Sequence, residues 1–234
     1  MRLDARRITP AAMALPLTSP SATGLRLISG FLDRTEQERL VIELRDLIRR
    51  APLFTPLMPG TGKPFSVRMT NCGPLGWVSD AGGYRYQPAH PMTGDPWPSM
   101  PDLLLRAWAE LSDYPVPPQA CLVNYYGRAA RMGLHQDRDE EDFSAPVVSL
   151  SLGATCRFRI GGGKRTQSTR SFLLASGDVV VMAGASRLAF HGVDRILPGT
   201  STLLPDGGRI NLTLRRVHPP AEGRRMPSRN VTGA

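Results

Sequence analysis

The stretch Arg209-Ile210-Asn211-Leu212-Thr213-Leu214-Arg215 alternates without a break between polar and apolar residues. In a β-strand, successive side chains point to opposite faces. Arg209, Asn211, Thr213 and Arg215 therefore share one face, and Ile210, Leu212 and Leu214 share the other. Two readings fit this pattern equally: an edge strand with a solvated face, or a strand whose polar face lines the inside of a barrel. Working back from it, the same period or short apolar runs give strands at about 120–126, 131–136, 146–152, 155–161, 169–175, 178–183 and 186–191. Gly161-Gly162-Gly163, Ser176-Gly177-Asp178, Pro198-Gly199 and Asp206-Gly207-Gly208 separate them as turns. About eight short strands after two helices predict a mainly β double-sheet jelly roll.

The first helix follows Thr35-Glu36-Gln37-Glu38, which reads as a capping box with Thr35 at the N-cap. Leu40, Leu44, Leu47 and Ile48 continue it at helical spacing to Arg50. A second helix opens at Met100-Pro101-Asp102, with Leu104, Trp108 and Leu111 on one face. Between them, residues 73–98 read as a long polar loop. It carries Trp77, Tyr84, Tyr86 and Trp97, and long loops of this kind are often binding lids. Residues 1–24 show no period and read as an extended or disordered arm. Residues 218–234 are basic and proline-rich and read as a disordered tail. The expected organisation is thus 1–24 arm, 25–119 helical support and lid, 120–217 jelly-roll core and 218–234 tail.

The chain has 234 residues, a formal charge of +9 and a pI near 10.3. That excess favours a polyanionic partner, nucleic acid before others. Of the 29 basic residues only Lys63 and Lys164 are lysine, so a base-composition bias of the genome explains part of it. Three cysteines, Cys72, Cys121 and Cys156, suggest neither a disulfide framework nor a zinc site and fit a reducing cytoplasm. No apolar run reaches membrane-spanning length, and no signal peptide is evident.

Gly133-Leu134-His135-Gln136-Asp137 carries the chemistry. If extended, it places His135 and Asp137 on one face. Two imidazoles and one carboxylate on one face of a metal form the site type that holds non-haem Fe(II). His191 supplies a second imidazole at the end of an apolar strand. His90 and His218 fall in a loop and in the tail. Asp137-Arg138-Asp139-Glu140-Glu141-Asp142 otherwise reads as an acidic, solvated turn. Arg209 and Arg215 lie about 20 Å apart along a strand, too far to grip one small carboxylate together. They suit the two ends of an elongated dicarboxylate, which the planar guanidinium matches. Asn124 and Tyr126, two apart on a strand, can add neutral hydrogen bonds.

Asn124-x-Tyr126, His135-x-Asp137, Ser151-Leu152-Gly153, Ser186-Arg187-Leu188-x-x-His191-Gly192 and Arg209-x-Asn211-x-Thr213-x-Arg215 occur in this order. Upstream stand Met69-Thr70-Asn71-Cys72-Gly73-Pro74-Leu75-Gly76-Trp77 and Trp97-Pro98-Ser99-Met100-Pro101. The set, over roughly residues 65–217, resembles the AlkB family of Fe(II)- and 2-oxoglutarate-dependent dioxygenases. The resemblance implies a double-stranded β-helix with a nucleotide-recognition lid. It implies Fe(II) on His135, Asp137 and His191, and 2-oxoglutarate held by Asn124, Tyr126, Arg209, Asn211, Thr213 and Arg215. Arg209 would meet the distal carboxylate and Arg215 the iron-chelating end. Trp77 would stack on a flipped base, with Tyr84 and Tyr86 in the lid and Asp139 and Arg165 in the substrate pocket.

The implied reaction uses O2 to hydroxylate a methyl group on an alkylated base of the N1-methyladenine or N3-methylcytosine type, with loss of formaldehyde. DNA is the expected partner, RNA the second candidate, and a monomer the default. Met182 departs from the pattern, which expects tryptophan there, and Ile210 stands where an aromatic is expected. Two alternatives stay open at this level: a 2-oxoglutarate-dependent hydroxylase of a non-nucleic-acid substrate, and a non-catalytic single-strand-binding β domain with a degenerate metal site.

Overall fold

The computed structural model describes residues 24–220. The expected arm at 1–24 lies outside them except for Gly24, and of the expected tail only 218–220 fall inside. Three sheets carry the described residues, and every strand pair among them is antiparallel. The six-stranded sheet has the order β1(Leu25–Ile28), β10(Val179–Met182), β7(Val147–Gly153), β12(Arg209–Arg215), β5(Ala120–Tyr126), β2(Arg68–Cys72). The four-stranded sheet has the order β6(Met132–His135), β11(His191–Ile196), β8(Cys156–Ile160), β9(Arg170–Leu174). A separate hairpin joins β3(Gly76–Asp80) to β4(Gly83–Gln87). The two larger sheets face each other as a jelly roll.

Alternation along the strands explains the layering. Val179 and Val181, and Ile210, Leu212 and Leu214, bury against the helices α1(Arg34–Arg50) and α2(Asp102–Leu111), through Leu40, Leu44, Leu47, Leu104 and Trp108. The opposite set, Val180, Met182, Leu122 and Val147, packs toward Phe158, Ile160 and Val193 of the smaller sheet. The larger sheet is therefore covered on both faces. β12 lies between β7 and β5, so it is a central strand, and every one of its residues is buried. That decides between the two readings of its alternation: the polar face points inward.

Four expectations are corrected. Helix α1 is capped by Asp33, not Thr35. Asp33 is extended (φ −70°, ψ 173°), and its side chain accepts the Glu36 N–H at 2.8 Å while Glu36 accepts the Asp33 N–H at 3.1 Å. The chain already turns helical at Arg34, so Thr35 sits inside the first turn. Residues 73–98 are not only a loop: β3 and β4 form a hairpin within them. Its turn is short, with Gly83 at φ +104°, and Asp80 takes the Gly82 N–H and both Arg85 guanidinium nitrogens, at 2.9 and 2.8 Å.

The apolar residues before His191 do not form a strand. A 3-10 turn at Gly184–Ser186 leads into them, and His191 opens β11 instead of closing a strand. Gly192 permits this crossing, because a Cβ there would lie 2.6 Å from the Met132 carbonyl oxygen of β6. Finally, β1 completes the edge of the larger sheet beside β10 and was not expected from the sequence.

Asp33→Ala is expected to lower stability by about 1 kcal/mol, whereas Thr35→Ala changes it by less than about 0.5. Urea unfolding midpoints of the two variants at unchanged m-value check this.

Candidate active site

The register of β12 builds the site. Arg209 lies opposite Tyr126, Asn211 opposite Asn124 and Ser151, and Thr213 opposite Leu122 and Ser149. Directly opposed residues share a face, so three central strands present one polar floor to the interior. A cavity of about 520 Å³ opens on that floor. His135, Asp137 and His191 line it, together with Asn124, Tyr126, Arg209, Asn211, Thr213 and Arg215. Trp77, Tyr84, Asp139 and Arg165 also line it. Tyr86 does not; its hydroxyl reaches the carboxylate of Glu140.

His135 and His191 are direct partners across β6 and β11, with ring centroids 4.4 Å apart. Each Nδ1 lies 3.0 Å from the carbonyl oxygen two residues back, of Gly133 and Ala189 respectively. Nδ1–H therefore donates to that carbonyl, and the Nε2 lone pair is left facing inward. The two Nε2 atoms lie 3.8 and 3.9 Å from Asp137 oxygens, and one donor atom from each of the three residues falls within 4.8 Å of the others.

Protonation suits a cation at this point. His191 is pushed down to about 4 by burial and by His135, against the pull of Asp137. It is neutral at pH 7 and free to donate a lone pair. Burial would raise the Asp137 carboxyl, but Arg215, His191, His135 and Arg187 hold it well below the usual carboxylate range. Its Oδ2 is buried and accepts no hydrogen bond. Two imidazole nitrogens and one carboxylate, whose Oδ2 is the orphaned oxygen, aimed at one point fit a divalent ion of the Fe(II) type.

Farther along the floor, Arg209 is almost fully buried, at 1% exposure. Its Nη2 donates to Ser151 Oγ at 2.7 Å, while Nε and Nη1 have no partner. Two unmatched buried donors on a fixed guanidinium are a cradle for a carboxylate. The neighbouring polar groups are tied together. Asn211 Nδ2 donates to Ser149 Oγ at 2.7 Å, Thr213 Oγ1 donates to Asn211 Oδ1 at 2.9 Å, and Asn124 Nδ2 donates to the same Oδ1 at 3.3 Å. Burial raises the Tyr126 hydroxyl against the opposing effect of Arg209, so it remains a donor. Arg215, at the other end of β12, donates through Nη2 to Asp137 Oδ1 at 2.8 Å. The two arginines thus occupy different ends of the floor, one beside the metal-ligand cluster and one deep.

At the mouth, Trp77 stacks on Tyr84 with ring centroids 5.6 Å apart and planes 19° from parallel. Phe65 meets it edge-on, and its Nε1–H donates to Asp139 Oδ2 at 2.7 Å. Arg165 lies over the Phe190 ring at 5.3 Å. Met182 is buried on the cavity wall in the position where the motif expects tryptophan.

The acidic run is the main correction at the site. Glu140 and Asp142 are not solvated: they are 5% and 8% exposed, while Glu141 is exposed. Asp142 accepts from the Tyr114 hydroxyl and from Ser144, and Glu140 pairs with Arg187 at 3.1 Å. Arg187, Ser149 and Gln136 are further members that reading residue by residue did not assign. Arg187 donates to the Asp137 and Ala145 carbonyls at 2.6 and 2.8 Å, and Gln136 donates to the Leu188 carbonyl at 2.5 Å. The alternation of Ser149 and Ser151 within an apolar run is a signal that could have marked the first serine.

The family model of the 2OG-Fe(II) oxygenase superfamily matches residues 24–215. The chain is 56% identical over 205 residues to an alpha-ketoglutarate-dependent dioxygenase AlkB homolog of Caulobacter vibrioides, covering 88% of this chain and 92% of that protein. It is 42% identical over 211 residues to the alpha-ketoglutarate-dependent dioxygenase AlkB of Escherichia coli, covering 88% and 96%. Among solved structures, that of OsALKBH1 superposes with a TM-score of 0.70 at 31% identity, over 88% of this chain and all of that one.

His135→Ala is expected to weaken Co(II) or Mn(II) binding by at least about 100-fold, more than loss of an outer-shell partner costs. Anaerobic metal titration followed by Co(II) absorption measures it, and an unchanged site would contradict the assignment of the cluster.

Proposed function

Because the chain belongs to the 2OG-Fe(II) oxygenase superfamily, and within it to the AlkB family, we propose that its substrate is an alkylated base in nucleic acid, which it demethylates oxidatively. The protein is an Fe(II)- and 2-oxoglutarate-dependent dioxygenase. When bound, Fe(II) supplies hydroxylation of the alkyl carbon by O2 at the expense of 2-oxoglutarate, which leaves as succinate and carbon dioxide. On a nitrogen-bound methyl group the hydroxylated product is a hemiaminal that releases formaldehyde and the restored base.

One observation carries this reading. The His135, Asp137 and His191 donor atoms, the unmatched Arg209 donors and the Trp77 ring all face one cavity. His135, Asp137 and His191 would hold the metal. Arg209 would take the distal carboxylate of 2-oxoglutarate through Nε and Nη1. Asn124, Tyr126, Asn211 and Thr213 would orient the molecule along the floor, and Arg215 would neutralise its metal end while keeping Asp137 ionised.

Trp77 and Tyr84 would form the stacking rim for a flipped base, with Tyr86 behind them, and Asp139 and Arg165 would flank it. N1-methyladenine and N3-methylcytosine are cationic near neutral pH. A stack on Trp77 then gains a cation–π attraction of about 0.5–2 kcal/mol, and Asp139 adds preference for the cation. A methyl on the Watson–Crick edge also lowers the cost of flipping the base out. The aromatic rim and the acidic group beside it favour a base over a protein or lipid substrate.

The net charge of +9 suits phosphate contacts, with DNA as the first partner and RNA as the second. We read the chain as an arm (1–24), helical support and lid (25–119), dioxygenase core (120–217) and tail (218–234), acting as a monomer. A cytoplasmic location suits its three free, buried cysteines, and no helix among the described residues is long and apolar enough to cross a membrane.

Formaldehyde release from a set of oligonucleotides, each carrying one methylated base, tests the reading. Trp77→Ala should lower turnover about 5- to 150-fold, the equivalent of about 1–3 kcal/mol of base stacking, while 2-oxoglutarate still binds. Undiminished repair would remove the stacking role. Arg209→Ala should raise the 2-oxoglutarate requirement by about 10- to 150-fold, from loss of charge-assisted hydrogen bonds worth about 1.5–3 kcal/mol. Unchanged kinetics in 2-oxoglutarate would contradict the orientation of the floor.

A further inference from the structure

Glu140 is the most enclosed carboxylate of the site, its side chain 2% exposed, and the functions assigned above leave it without a task. It touches three elements. Oε2 lies 3.1 Å from Arg187 Nη2, in the segment after the 3-10 turn. Oε1 lies 3.4 Å from Arg215 Nε, at the end of β12, as an ion pair without hydrogen-bond geometry. The Tyr86 hydroxyl, on β4 of the lid hairpin, donates to the same Oε1 and also sits 3.5 Å from Arg215 Nη1. Tyr86 is the direct cross-strand partner of Trp77. A line of contacts therefore runs from the stacking aromatic, through Tyr86 and Glu140, to the arginine beside Asp137.

The charges in this enclosure balance. Arg187 and Arg215 are matched by Asp137 and Glu140, and all four side chains are less than 10% exposed. A buried carboxylate tolerates that position only while its donors are in place. Moving the hairpin away removes the Tyr86 donor from Glu140 and loosens the carboxylate that steadies Arg215. Holding the hairpin in place does the reverse.

We propose that Glu140 is a positioning residue that couples the lid to the cofactor floor, so that a docked nucleotide and bound 2-oxoglutarate strengthen each other's binding. The inference rests on the nucleic-acid reading above and adds a linkage to it. Thermodynamic linkage makes the effect reciprocal, and couplings of this kind amount to about 5- to 150-fold in affinity.

The test is calorimetric titration of 2-oxoglutarate into the Mn(II)-loaded protein, which binds without turnover. It is done with and without a saturating short oligonucleotide carrying one N1-methyladenine. In the wild type the oligonucleotide should tighten 2-oxoglutarate by about 5-fold or more. In Glu140→Gln and in Tyr86→Phe that ratio should fall below about twofold. A purely structural role would lower the melting temperature and weaken each ligand separately, yet leave the ratio at its wild-type value.

A ratio preserved in Tyr86→Phe, or a wild-type ratio of one, overturns the proposal. Tyr86→Phe removes a single hydroxyl, so it carries the test alone if Glu140→Gln does not fold. Demethylation of the oligonucleotide by the wild type with no coupling sinks only this inference. Failure of the wild type to bind or demethylate it sinks the proposed function as well.

Discussion

A central strand buried on both faces cannot leave polar side chains unmatched, and β12 carries four of them on its inner face. Its outer face is taken by the helices and its inner face lines a cavity beneath the opposing sheet, where these groups are buried and have little access to water. Burying them costs free energy unless each finds a partner. Neighbouring strands answer most of the demand with Asn124, Ser149 and Ser151. What stays unanswered, at Arg209 Nε and Nη1, Arg215 Nε, Asn124 Oδ1 and Asp137 Oδ2, lies on one cavity; among the described residues only Arg159 Nε is left unmatched away from it. Unsatisfied buried groups are few in native folds. Their clustering beside donor atoms of metal type is what a site waiting for an ion and a dicarboxylate looks like.

The same enclosure controls protonation. In an open site, histidines beside an aspartate would gain protons readily. Here burial and the neighbouring imidazole push the His191 proton off, while Arg215 leads the charges, with the two histidines and Arg187, that hold the Asp137 carboxyl low against its burial. The carboxylate stays ionised, and the His191 imidazole keeps its lone pair available. Backbone carbonyls two residues back fix both tautomers. The strand geometry of β6 and the entry into β11 thus choose which ring nitrogen faces the cavity.

Legibility in the sequence followed the range of the interactions. The alternation of Arg209–Arg215 and the spacing of His135 and Asp137 are local signals; β12 keeps the alternation, and His135 and Asp137 line one cavity although Asp137 lies beyond the end of β6. Whether the polar face of β12 pointed inward was not local; it depended on β5 and β7 lying on either side and on helices covering the back. Residue type marks His191, yet its strand follows it instead of preceding it, because Leu188-Ala189-Phe190 is apolar for packing and Gly192 sets the crossing. The β3–β4 hairpin is hard to read locally because its strands are short, each opens on glycine, and they fold back on a tight turn. Glu140 reads as solvated for a related reason. Its neighbours in sequence are charged and solvated, and its partners, Arg187, Arg215 and Tyr86, lie 47, 75 and 54 positions away in the chain.

The mouth of the cavity shows why stacking alone cannot select a damaged base. One face of Trp77 already rests on Tyr84, and its indole N–H is already held by Asp139. An incoming base that displaced Tyr84 would trade one stack for another, so the net gain would fall well short of a full aromatic stack. A base that kept the pair intact would meet a ring already oriented, at little ordering cost. In either case every base offers a π face, and the stacking energy differs little among them. Discrimination must come from charge and from pairing. A cationic methylated base gains from the ring face and from Asp139 together, and it gives up less by leaving a duplex in which it cannot pair.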